Sequence, residues 1–464
     1  MIILPFAENK AYGVLGLGKT GLATARSLKA SKAKVFCWDD NPMAREEALK
    51  SFIPSTSPTL WPWAELQAVV WSPGIPHKLP KPHAVAERAA KKNVPLICDI
   101  ELLFQARPAA TYIGITGTNG KSTTTALIGH MIAQAGFEVG VGGNLGTPAL
   151  SLPSLGANNY YVIEVSSYQL ELLQSRRWDV GVLLNITPDH LDRHGSMDGY
   201  IQVKATIANT SADQTLVVGT STQPPATLAE EWKKQPHLRV RLLSTDHAVR
   251  DGYFIREGDL IDSTYADERM ISRFNHFETL QGKHNLENAL AAYAVGRAIA
   301  LQPGQILSAL ENFPGLEHRQ QRVRHIDNTT FINDSKATNA DAAAKALGSY
   351  QNIYWILGGR PKEGGLSGLE ELMPRVRHAY LIGEAAPAFA KWLEANKVPF
   401  THCHKLERAT INAAKQALSD GHDGATVLLS PACASWDQFK NFEERGNAFI
   451  AAVKQFDPLT LDTL

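Results

Sequence analysis

Hydrophobic residues along the chain fall into two alternating patterns, short continuous runs and longer stretches with helical spacing. The run "AYGVL" leads into a glycine turn, and Leu22, Ala25 and Leu28 then share one face of a following helix. The run "TYIGI" begins the same order of strand, glycine turn and helix further along the chain. Short apolar runs that alternate with amphipathic helices predict parallel β-sheets.

This order of elements predicts an α/β protein of three units. The first unit covers residues 1–100 and the second covers residues 101–314. Residues 315–464 form the third, with strands predicted at "NIYWILGG", "HAYLIG" and "ATVLLSP". The segment from about 220 to 280 is more polar and contains prolines, so the pattern defines its structure less well.

The composition sets limits on the function. Of 464 residues, 44% are hydrophobic and 20% charged, which is typical of a globular protein. Lysine plus arginine and aspartate plus glutamate both number 46, so binding to nucleic acid or to an anionic membrane is not expected. The N-terminus lacks a secretion-type leader and no apolar run approaches the roughly 18 residues of a membrane span, so a cytoplasmic protein is expected. The four cysteines are far apart in the chain, which favours reduced, buried thiols over a zinc site or disulfides.

The first glycine turn, "GLGKTG", matches the G-x-G-x-x-G pattern of dinucleotide-binding loops with Gly16, Gly18 and Gly21. It follows a predicted strand and precedes a helix, whose first backbone amides can accept a pyrophosphate. Asp39 ends the next predicted strand, where a carboxylate can hold a ribose hydroxyl. A nucleotide-type ligand is the favoured interpretation, and a glycine turn needed only for tight packing is the alternative.

The second glycine turn, "ITGTNGKST", is similar to a P-loop but has a different spacing. The pattern G-x-x-x-x-G-K-[ST] needs a glycine where Ile115 stands, and glycines occupy positions 114 and 117 instead. Small residues let backbone N–H groups converge on phosphate oxygens, Lys121 offers a charge, and the Ser122 hydroxyl can coordinate Mg²⁺. Triphosphate binding is therefore predicted, with a plain helix N-terminus as the alternative.

Polar residues within or after the neighbouring apolar runs are further candidates. Glu164 lies inside the strand "YYVIEVSS", where a carboxylate needs an ion pair or a metal ion, and the sequence leaves both open. The loop "LNITPDHLDRHG" contains two aspartates and two histidines, which can be ligands, although a solvated loop is their commoner fate. Lys204 gives no signal of its own, and taken alone it is most simply a surface lysine.

The last part of the chain adds charged and small residues. Asn285 in "GKHN" stands before a predicted helix, which it can cap. Arg319 in "EHRQQR" and Lys336 in "FINDSKATN" can meet phosphate or carboxylate groups, with surface ion pairs as the alternative. Ser435 and Phe442 in "SPACASWDQFKNFEERG" can line a small-substrate pocket or simply pack a helix start.

Taken in order, these motifs resemble those of the Mur ligases, ATP-dependent amide-forming enzymes of peptidoglycan synthesis. The set comprises "GLGKTG", "TGTNGKST", "YVIEVSSYQLE", "LNITPDHLDRHG", "GKHN", "GLEHRQQ", "NDSKATN" and "SPACASWDQFKNFEERG", and it spans essentially the whole chain. "TGTNGKS" is that family's own phosphate loop, and the last two motifs are spelled as in its D-glutamate-adding members. The resemblance implies a Rossmann-like domain for the UDP-muramoyl substrate, a central ATPase of P-loop type, and a Rossmann-like C-terminal domain that closes over both.

The resemblance also implies the reaction. The expected substrates are ATP, UDP-N-acetylmuramoyl-L-alanine and D-glutamate, the expected cofactors are two Mg²⁺ ions, and the expected form is a monomer. The first glycine loop is then expected to hold the UDP diphosphate rather than NAD. A catalytic role is implied for Lys121, Glu164, His190 and Lys204.

Further positions of this sequence match binding motifs of the family. ATP contacts are implied for Gly117, Thr118, Asn119, Gly120, Lys121, Ser122, Thr123, Asn285, Arg319 and Asp334. Contacts to the UDP substrate are implied for Gly18, Lys19, Thr20, Asp39, Ser72, Gly74, Asn144 and His190. Contacts to D-glutamate are implied for Lys336, Thr338, Lys362, Ser435 and Phe442. Metal ligation is implied for Ser122, Glu164, His190 and Lys204, a position at which the family's lysine is carbamylated.

Two positions depart from the family's pattern, and three other functions share parts of it. Lys19 stands where an apolar residue is usual, and Pro188 replaces an acid in "TPDH". A folylpolyglutamate synthase shares "TGTNGKS" but lacks a UDP-type domain before it. An NAD-dependent oxidoreductase built on "GLGKTG" leaves the central loop unexplained, and a nucleotide-binding switch needs no second and third substrate.

Overall fold

The computed structural model describes residues 1–458 except 108, 145, 210, 211, 275, 276, 278, 281 and 363. The chain divides into two compact units, one formed by 1–277 with 283–313 and the other by 278–282 with 314–464. The predicted α/β class with mostly parallel sheets is confirmed. The domain boundaries at 1–100, 101–314 and 315–464 stay a prediction. Within the described residues, no helix combines the length and apolar character needed to cross a bilayer.

The first unit begins with a four-stranded parallel sheet. Its strands are β1 (Ala11–Leu15), β2 (Lys34–Trp38), β3 (Leu66–Trp71) and β4 (Leu96–Ile97). Its helices are α1 (Lys19–Ala30), α2 (Pro42–Lys50), α3 (Ala84–Lys91) and α4 (Asp99–Ala106), with 3₁₀ turns at Pro5–Ala7 and Pro58–Leu60. The strand order is β2-β1-β3-β4, so the "GLGKTG" turn follows the buried strand β1 and leads into α1, as predicted.

The same unit contains a nine-stranded sheet. Its strands are β5 (Thr111–Thr116), β6 (Val139–Gly143), β7 (Tyr160–Glu164), β8 (Val180–Leu183), β9 (Gln214–Gly219), β10 (Leu238–Ser244), β11 (Gly252–Arg256), β12 (Asp259–Asp262) and β13 (Arg269–Arg273). Its helices are α5 (Lys121–Gln134), α6 (Ser167–Leu170), α7 (Leu191–His194), α8 (Met197–Ala205), α9 (Gln223–Trp232), α10 (Lys283–Ala298) and α11 (Pro303–Glu311), with a 3₁₀ turn at Ala149–Ser151. The order is β13-β12-β11-β10-β9-β8-β5-β7-β6, and β11, β12 and β13 pair antiparallel.

This topology brings the candidate motifs to one edge of the nine-stranded sheet. Strand β5 pairs in parallel with β7 on one side and β8 on the other, so the carboxyl ends of all three strands meet. Ligands bind at this edge of open parallel sheets. Aromatic rings pack together at the amino ends of β5 and β8. The Phe104 ring lies edge-on to Tyr112 at 4.7 Å and to Trp178 at 4.9 Å between ring centroids.

The second unit is a third sheet with helices on both faces. Its strands are β14 (Gln321–Ile326), β15 (Thr329–Asn333), β16 (Ile353–Gly358), β17 (Val376–Ile382), β18 (Phe400–His404) and β19 (Ala425–Leu429). Its helices are α12 (Ala340–Ser349), α13 (Ala386–Ala395), α14 (Leu406–Asp420) and α15 (Phe442–Gln455), with a 3₁₀ helix at Glu370–Arg375. The order is β14-β15-β19-β16-β17-β18, in which only the β14–β15 pair is antiparallel. A separate hydrophobic core covers each face of this sheet.

Candidate active site

The central glycine loop joins the end of β5 to the start of α5, as its sequence predicted. Gly120 has a φ of +86°, and a β-carbon there would collide with the Asn288 side chain, so glycine is required at this turn. Gly114 has a different task inside β5, since a β-carbon at this position would lie 2.6 Å from the Trp178 ring. Of the two glycines that depart from the P-loop spacing, Gly114 therefore serves packing, whereas Gly117 lies in the loop itself with a φ of +154°, a conformation that favours glycine.

Residues after β8 hold the loop in place. The Thr118 amide donates to the Asn185 carbonyl at 2.9 Å, and the Asn119 amide donates to Asn185 Oδ1 at 2.9 Å. Thr118 Oγ1 lies 3.1 Å from the Thr187 carbonyl and 3.2 Å from the Tyr200 hydroxyl. Sequence analysis missed Asn185 and Tyr200. The sequence does contain a signal for Asn185. It is a polar residue directly after an apolar strand, and ligands bind at that end of parallel strands.

Two lysines converge on this loop. Lys121 Nζ donates to the carbonyl oxygens of Gly117 at 2.9 Å and Thr118 at 2.8 Å. Lys204 Nζ, which comes from α8, donates to the same Gly117 oxygen at 2.9 Å and lies 3.3 Å from Thr116 Oγ1. The loop thus brings two lysine amines together at the end of β5, and the charge of Lys121 suits a polyphosphate.

Lys204 is buried rather than solvated at the surface, with 1% of its surface exposed. Its Nζ stands 4.8 Å from the centre of the Tyr200 ring, one helical turn earlier in α8. Burial, followed by repulsion from Lys121, lowers the pKa of Lys204 well below its ordinary value, although the charges of Asp189 and Glu164 oppose the shift. A neutral amine is a nucleophile, whereas an ammonium group is not.

Glu164 ends β7 and is 2% exposed. Its Oε1 accepts a hydrogen bond from Asn144 Nδ2 at 2.7 Å, so the side chain predicted for the sugar-peptide arm contacts the predicted metal ligand. Its Oε2 is buried without a hydrogen-bond partner, and no cation lies within 4.0 Å of the carboxylate among the described residues. Of the two interpretations that the sequence left open, a structural salt bridge is therefore not observed.

His190 lies at the start of α7 and is exposed. Its ring stands 4.9 Å from the Tyr168 ring, and its Nε2 lies 3.4 Å from Asp189 Oδ2. Asp189 thus supplies an acid beside the position where Pro188 replaces one. Among the described residues, no three His, Cys, Asp or Glu side chains form a metal-binding group.

Asn285 is connected to the same loop through α10. Asn288 Nδ2 donates to Asn285 Oδ1 at 3.2 Å, and Asn288 Oδ1 accepts from Thr124 Oγ1 at 3.2 Å. Thr124 belongs to the first turn of α5, and Asn288 also lies against Gly120. Asn285, one of the residues predicted to contact ATP, therefore stands beside the predicted phosphate loop.

The N-terminal glycine loop is held by Asp39. Its Oδ2 accepts from the Leu17 amide at 2.6 Å and its Oδ1 accepts from the Asn41 amide at 2.9 Å. Ser72 packs on the same loop, because a β-carbon at Gly16 would collide with its side chain. Asp39 thus shapes the loop, and a ribose contact would use its remaining lone pairs.

The open side of that loop carries the other residues predicted for the UDP substrate. A β-carbon on Gly18 or Gly74 would meet no atom within 4 Å. Lys19 is exposed, and Thr20 and Ser72 are half-buried. These residues leave the end of β1 accessible to a ligand.

In the second unit, Asp334 follows β15 and is 4% exposed. Its carboxylate accepts from Ser430 Oγ at 2.8 Å and from the Gln320 amide at 3.2 Å. Burial raises the pKa of Asp334 to about 7, although these hydrogen bonds and the charge of Arg319 act in the opposite direction. Arg319 and Asp334 are therefore close enough to interact electrostatically, as their shared predicted role requires.

The residues predicted to bind D-glutamate are partly brought together. Lys336 Nζ stands 4.0 Å from the centre of the Phe442 ring. Ser435 is buried, and the charge of Lys362 acts on the thiol of Cys433, two residues before it. The described contacts do not join Thr338 to these groups.

Sequence analysis missed Arg445, which is buried between two of these segments. Its Nε donates to Ser335 Oγ at 3.0 Å and its Nη1 donates to the Cys433 carbonyl at 3.1 Å. Buried guanidinium groups in folded proteins are paired with acceptors in this way. Arg445 therefore joins the segment before Lys336 to the segment before Ser435.

The ends of the parallel strands carry a glycine loop, two converging lysines and a buried carboxylate. This combination is typical of α/β enzymes that bind nucleotide phosphates, and it defines the class of this protein. Two family models match the chain, the Mur ligase middle domain at residues 115–296 and the Mur ligase, glutamate ligase domain at residues 318–433. The chain is 47% identical over 98% of its length to the UDP-N-acetylmuramoylalanine–D-glutamate ligase of Paramagnetospirillum magneticum, of which it covers 99%. It is 51% identical to the protein of the same name from Rhodospirillum rubrum, over 94% of this chain and 93% of that protein. The chain therefore belongs to the Mur ligases, in the family of the UDP-N-acetylmuramoylalanine–D-glutamate ligases.

A solved structure agrees with the fold. The chain is similar to the UDP-N-acetylmuramate–alanine ligase MurC of Thermotoga maritima, with a TM-score of 0.59 over 96% of this chain and 99% of that one. The identity is 17%, so this likeness supports the shared fold alone.

Proposed function

We propose that this protein is an ATP-dependent ligase that joins D-glutamate to UDP-N-acetylmuramoyl-L-alanine in peptidoglycan precursor synthesis. The observation that carries the proposal is the identity of 47% and 51% to two ligases of that name over nearly their whole length. The candidate site supports it, because a phosphate loop with converging lysines suits ATP-dependent activation of a carboxylate.

The reaction has two steps. A carboxylate oxygen of UDP-N-acetylmuramoyl-L-alanine attacks the γ-phosphorus of ATP, the bond to the bridging oxygen breaks, and ADP leaves. The amine of D-glutamate attacks the carbonyl carbon of the acyl phosphate, and the tetrahedral intermediate expels phosphate while the amine loses a proton. Side chains do little covalent work in this scheme, and positioning and electrostatic stabilisation supply most of the rate enhancement.

ATP is assigned to the central loop. Backbone amides of residues 117–123 would hold its phosphates, and Lys121 would turn from the Gly117 and Thr118 carbonyls to the γ-phosphate. Asn285 would contact the adenine beside this loop. The family's motifs also assign ATP contacts to Arg319 and Asp334.

The residues present fit Mg²⁺, because Glu164 Oε2 is a buried carboxylate oxygen without a partner, and Mg²⁺ prefers oxygen ligands. Ser122, Glu164, His190 and Lys204 would hold two ions. Bound Mg²⁺ supplies positive charge beside the transferred phosphoryl group. Lys204 can join as an oxygen ligand only as a carbamate, which forms when its neutral amine adds to CO₂ and releases a proton. The lowered pKa of Lys204 supports this step.

We assign the three substrates to functional domains at 1–100, 101–314 and 315–464. The first sheet would bind the UDP moiety through Gly18, Lys19, Thr20, Asp39, Ser72 and Gly74, and Asn144 and His190 would meet the sugar-peptide arm. The third sheet would bind D-glutamate through Lys336, Thr338, Lys362, Ser435 and Phe442. All substrates are small molecules and none of these contacts needs a second chain, which supports a monomer. The substrates ATP and UDP-sugar support a cytoplasmic reaction.

The test is phosphate release from ATP with UDP-N-acetylmuramoyl-L-alanine and one amino acid at a time. We expect release with D-glutamate and none with L-glutamate, L-lysine or diaminopimelate. Release with another amino acid, or without the UDP substrate, would contradict the proposal. A nicotinamide fluorescence titration is the control for an oxidoreductase, and no binding is expected.

A further inference from the structure

The turn at residues 72–75 follows β3 and carries two residues that we assign to the UDP substrate. It is closed by the Ile75 amide, which donates to the Ser72 carbonyl at 3.0 Å. Three successive carbonyl oxygens on its other side face one guanidinium group. Arg193 Nη1 donates to Gly74 at 3.4 Å, and Arg193 Nη2 donates to Pro73 and to Ile75, each at 3.4 Å.

Arg193 belongs to α7, the short helix that follows His190. Its guanidinium lies over the Tyr168 ring at 4.4 Å, and that ring in turn lies 4.9 Å from the His190 ring and 5.7 Å from the His194 ring. The stack fixes the direction of the guanidinium, because its planar face rests on an aromatic ring while its edge points to the turn. Arg193 thus connects the turn after β3 with the loop that carries His190.

A second charged group holds the chain just beyond the same turn. Glu171 Oε1, after α6, lies 3.0 Å from Lys78 Nζ and 3.4 Å from His77 Nε2. Glu171 therefore anchors residues 77–78 independently, so the path of the chain does not depend on Arg193 alone. The Ile75 carbonyl also accepts from Trp71 Nε1 at 2.8 Å, so what Arg193 adds is the orientation of the Pro73 and Gly74 carbonyl groups.

We propose that Arg193 is a positioning residue for the UDP substrate, which sets the Ser72–Ile75 turn through the Pro73 and Gly74 carbonyl groups and ties that turn to the His190 loop. This proposal rests on the proposed function, because it takes the turn as a contact of the UDP moiety. The guanidinium occupies the carbonyl oxygens, whose partial negative charge would otherwise oppose a diphosphate nearby. A fork with several N–H donors can bridge consecutive carbonyls, whereas a single ammonium group cannot hold the same geometry.

Kinetics of Arg193→Ala and Arg193→Lys test the proposal. A shift of the turn by about 1 Å is sufficient to cost up to about 100-fold in rate, so we expect the KM for UDP-N-acetylmuramoyl-L-alanine to rise at least about tenfold in Arg193→Ala. The KM for D-glutamate should stay within about twofold, because that subsite does not involve the turn. Arg193→Lys should fall between, and added guanidinium ion at non-denaturing concentration should restore part of the affinity in Arg193→Ala.

Arg176→Ala is the matched control. Arg176 lines the same surface cleft as Arg193, but it is exposed and its described contacts include no bond to the turn. It should leave every KM unchanged. If Arg176→Ala raises the KM for the UDP substrate as much as Arg193→Ala does, general surface charge accounts for the effect and the proposal is wrong.

Two further outcomes overturn the proposal. An unchanged KM for the UDP substrate in Arg193→Ala excludes a positioning role. A parallel loss of affinity for all three substrates, with a lowered unfolding midpoint and no rescue by guanidinium, shows a role in folding alone. Calorimetric titration of the protein with UDP-N-acetylmuramoyl-L-alanine without ATP separates this proposal from the proposed function. If wild type binds the compound tightly and Arg193→Ala weakly, yet D-glutamate releases no phosphate, the proposed function fails and the role of Arg193 stands.

Discussion

Replacing Glu164 by glutamine separates a metal ligand from a structural carboxylate. Glu164 is buried, its Oε1 accepts from Asn144 Nδ2 at 2.7 Å, and its Oε2 has no partner. A glutamine retains an oxygen for Asn144 and removes the charge. The substitution therefore changes the site's affinity for a cation with little change in shape.

The magnitude follows from the unpartnered oxygen. A buried acceptor without a partner costs about 1–3 kcal/mol, and more when it is charged. Glutamine still buries a polar group at this position, but without the charge, so we expect Glu164→Gln to raise the free energy of unfolding of the unliganded protein by about 1–2 kcal/mol. Loss of a metal contact at a transferring phosphoryl group costs several kcal/mol of transition-state stabilisation, so turnover should fall at least about 100-fold.

Glu171→Gln is the same substitution in a side chain that does have partners. Burial favours a raised pKa for Glu171, but hydrogen bonds from His77 and Lys78 lower it from 4.5 to about 2. That shift corresponds to at most about 3 kcal/mol at neutral pH, and solvent screening reduces it because the Lys78 side chain is 68% exposed. We therefore expect Glu171→Gln to destabilise by about 1–2 kcal/mol. Since the folded-state pKa is lowered, this contribution is present above pH 4.5 and disappears as the pH falls towards about 2.

The assay is chemical unfolding of wild type and both variants, with and without Mg²⁺ and a non-hydrolysable ATP analogue. A ligand at 100 times its Kd stabilises the folded protein by about 2.7 kcal/mol, so wild type and Glu171→Gln should gain about this much and Glu164→Gln clearly less. Two results together would refute the reasoning. Glu164→Gln would lower the free energy of unfolding as much as Glu171→Gln does, and it would still gain the full stabilisation from the nucleotide. Glu164 would then be a structural carboxylate.

Three further substitutions test other parts of the site. Lys121→Ala should abolish phosphate release while calorimetric binding of the UDP substrate persists, and near-normal release would contradict the assignment. Asp334→Asn should stabilise the second unit, because the raised pKa shows that ionisation of the buried acid is costly. The gain should grow as the pH rises from about 4 to about 7 and reach up to about 4 kcal/mol, and a pH-independent effect on the free energy of unfolding would contradict the prediction. Gly120→Ala should lower the unfolding free energy by more than about 2 kcal/mol through strain and collision with Asn288, whereas Gly18→Ala, which meets open space, should change it by less than about 1 kcal/mol.

The sequence predicts most of the fold because its signals are local. Strands β5, β7 and β8 are buried on both faces and therefore appear as continuous apolar runs. The sequence predicts the structure of the segment from about 220 to 280 less well, because not all of its strands appear as apolar runs. It contains the antiparallel strands β11 to β13, and the last of these, Arg269–Arg273, has only half-buried or exposed side chains, so no apolar run marks it.

The candidate site is predictable only where its residues follow one another in the chain. The glycine loop "TGTNGKS" contains its turn residues, its lysine and its helix start within one motif. Asn185, which fixes that loop, follows β8 and meets the loop only because β8 pairs with β5. The sequence predicts that the Asp39 carboxylate holds a ribose hydroxyl. In the structure, two backbone amides donate hydrogen bonds to this carboxylate, because backbone N–H groups in a loop need acceptors.

Lys204 shows how chemistry arises from the fold where the sequence gives no signal. Its Nζ and that of Lys121 both lie 2.9 Å from the Gly117 oxygen, so they are at most about 5.8 Å apart. Two ammonium groups at that separation repel by about 3 kcal/mol at an effective dielectric constant of 20. Lys204 is buried against the Tyr200 ring, and this burial together with the repulsion from Lys121 lowers its pKa well below the ordinary value. A lysine at the surface has neither the burial nor the fixed cationic neighbour. The lowered pKa of Lys204 is therefore a product of the packing of α8 against the phosphate loop, which the residues around Lys204 in the chain do not encode.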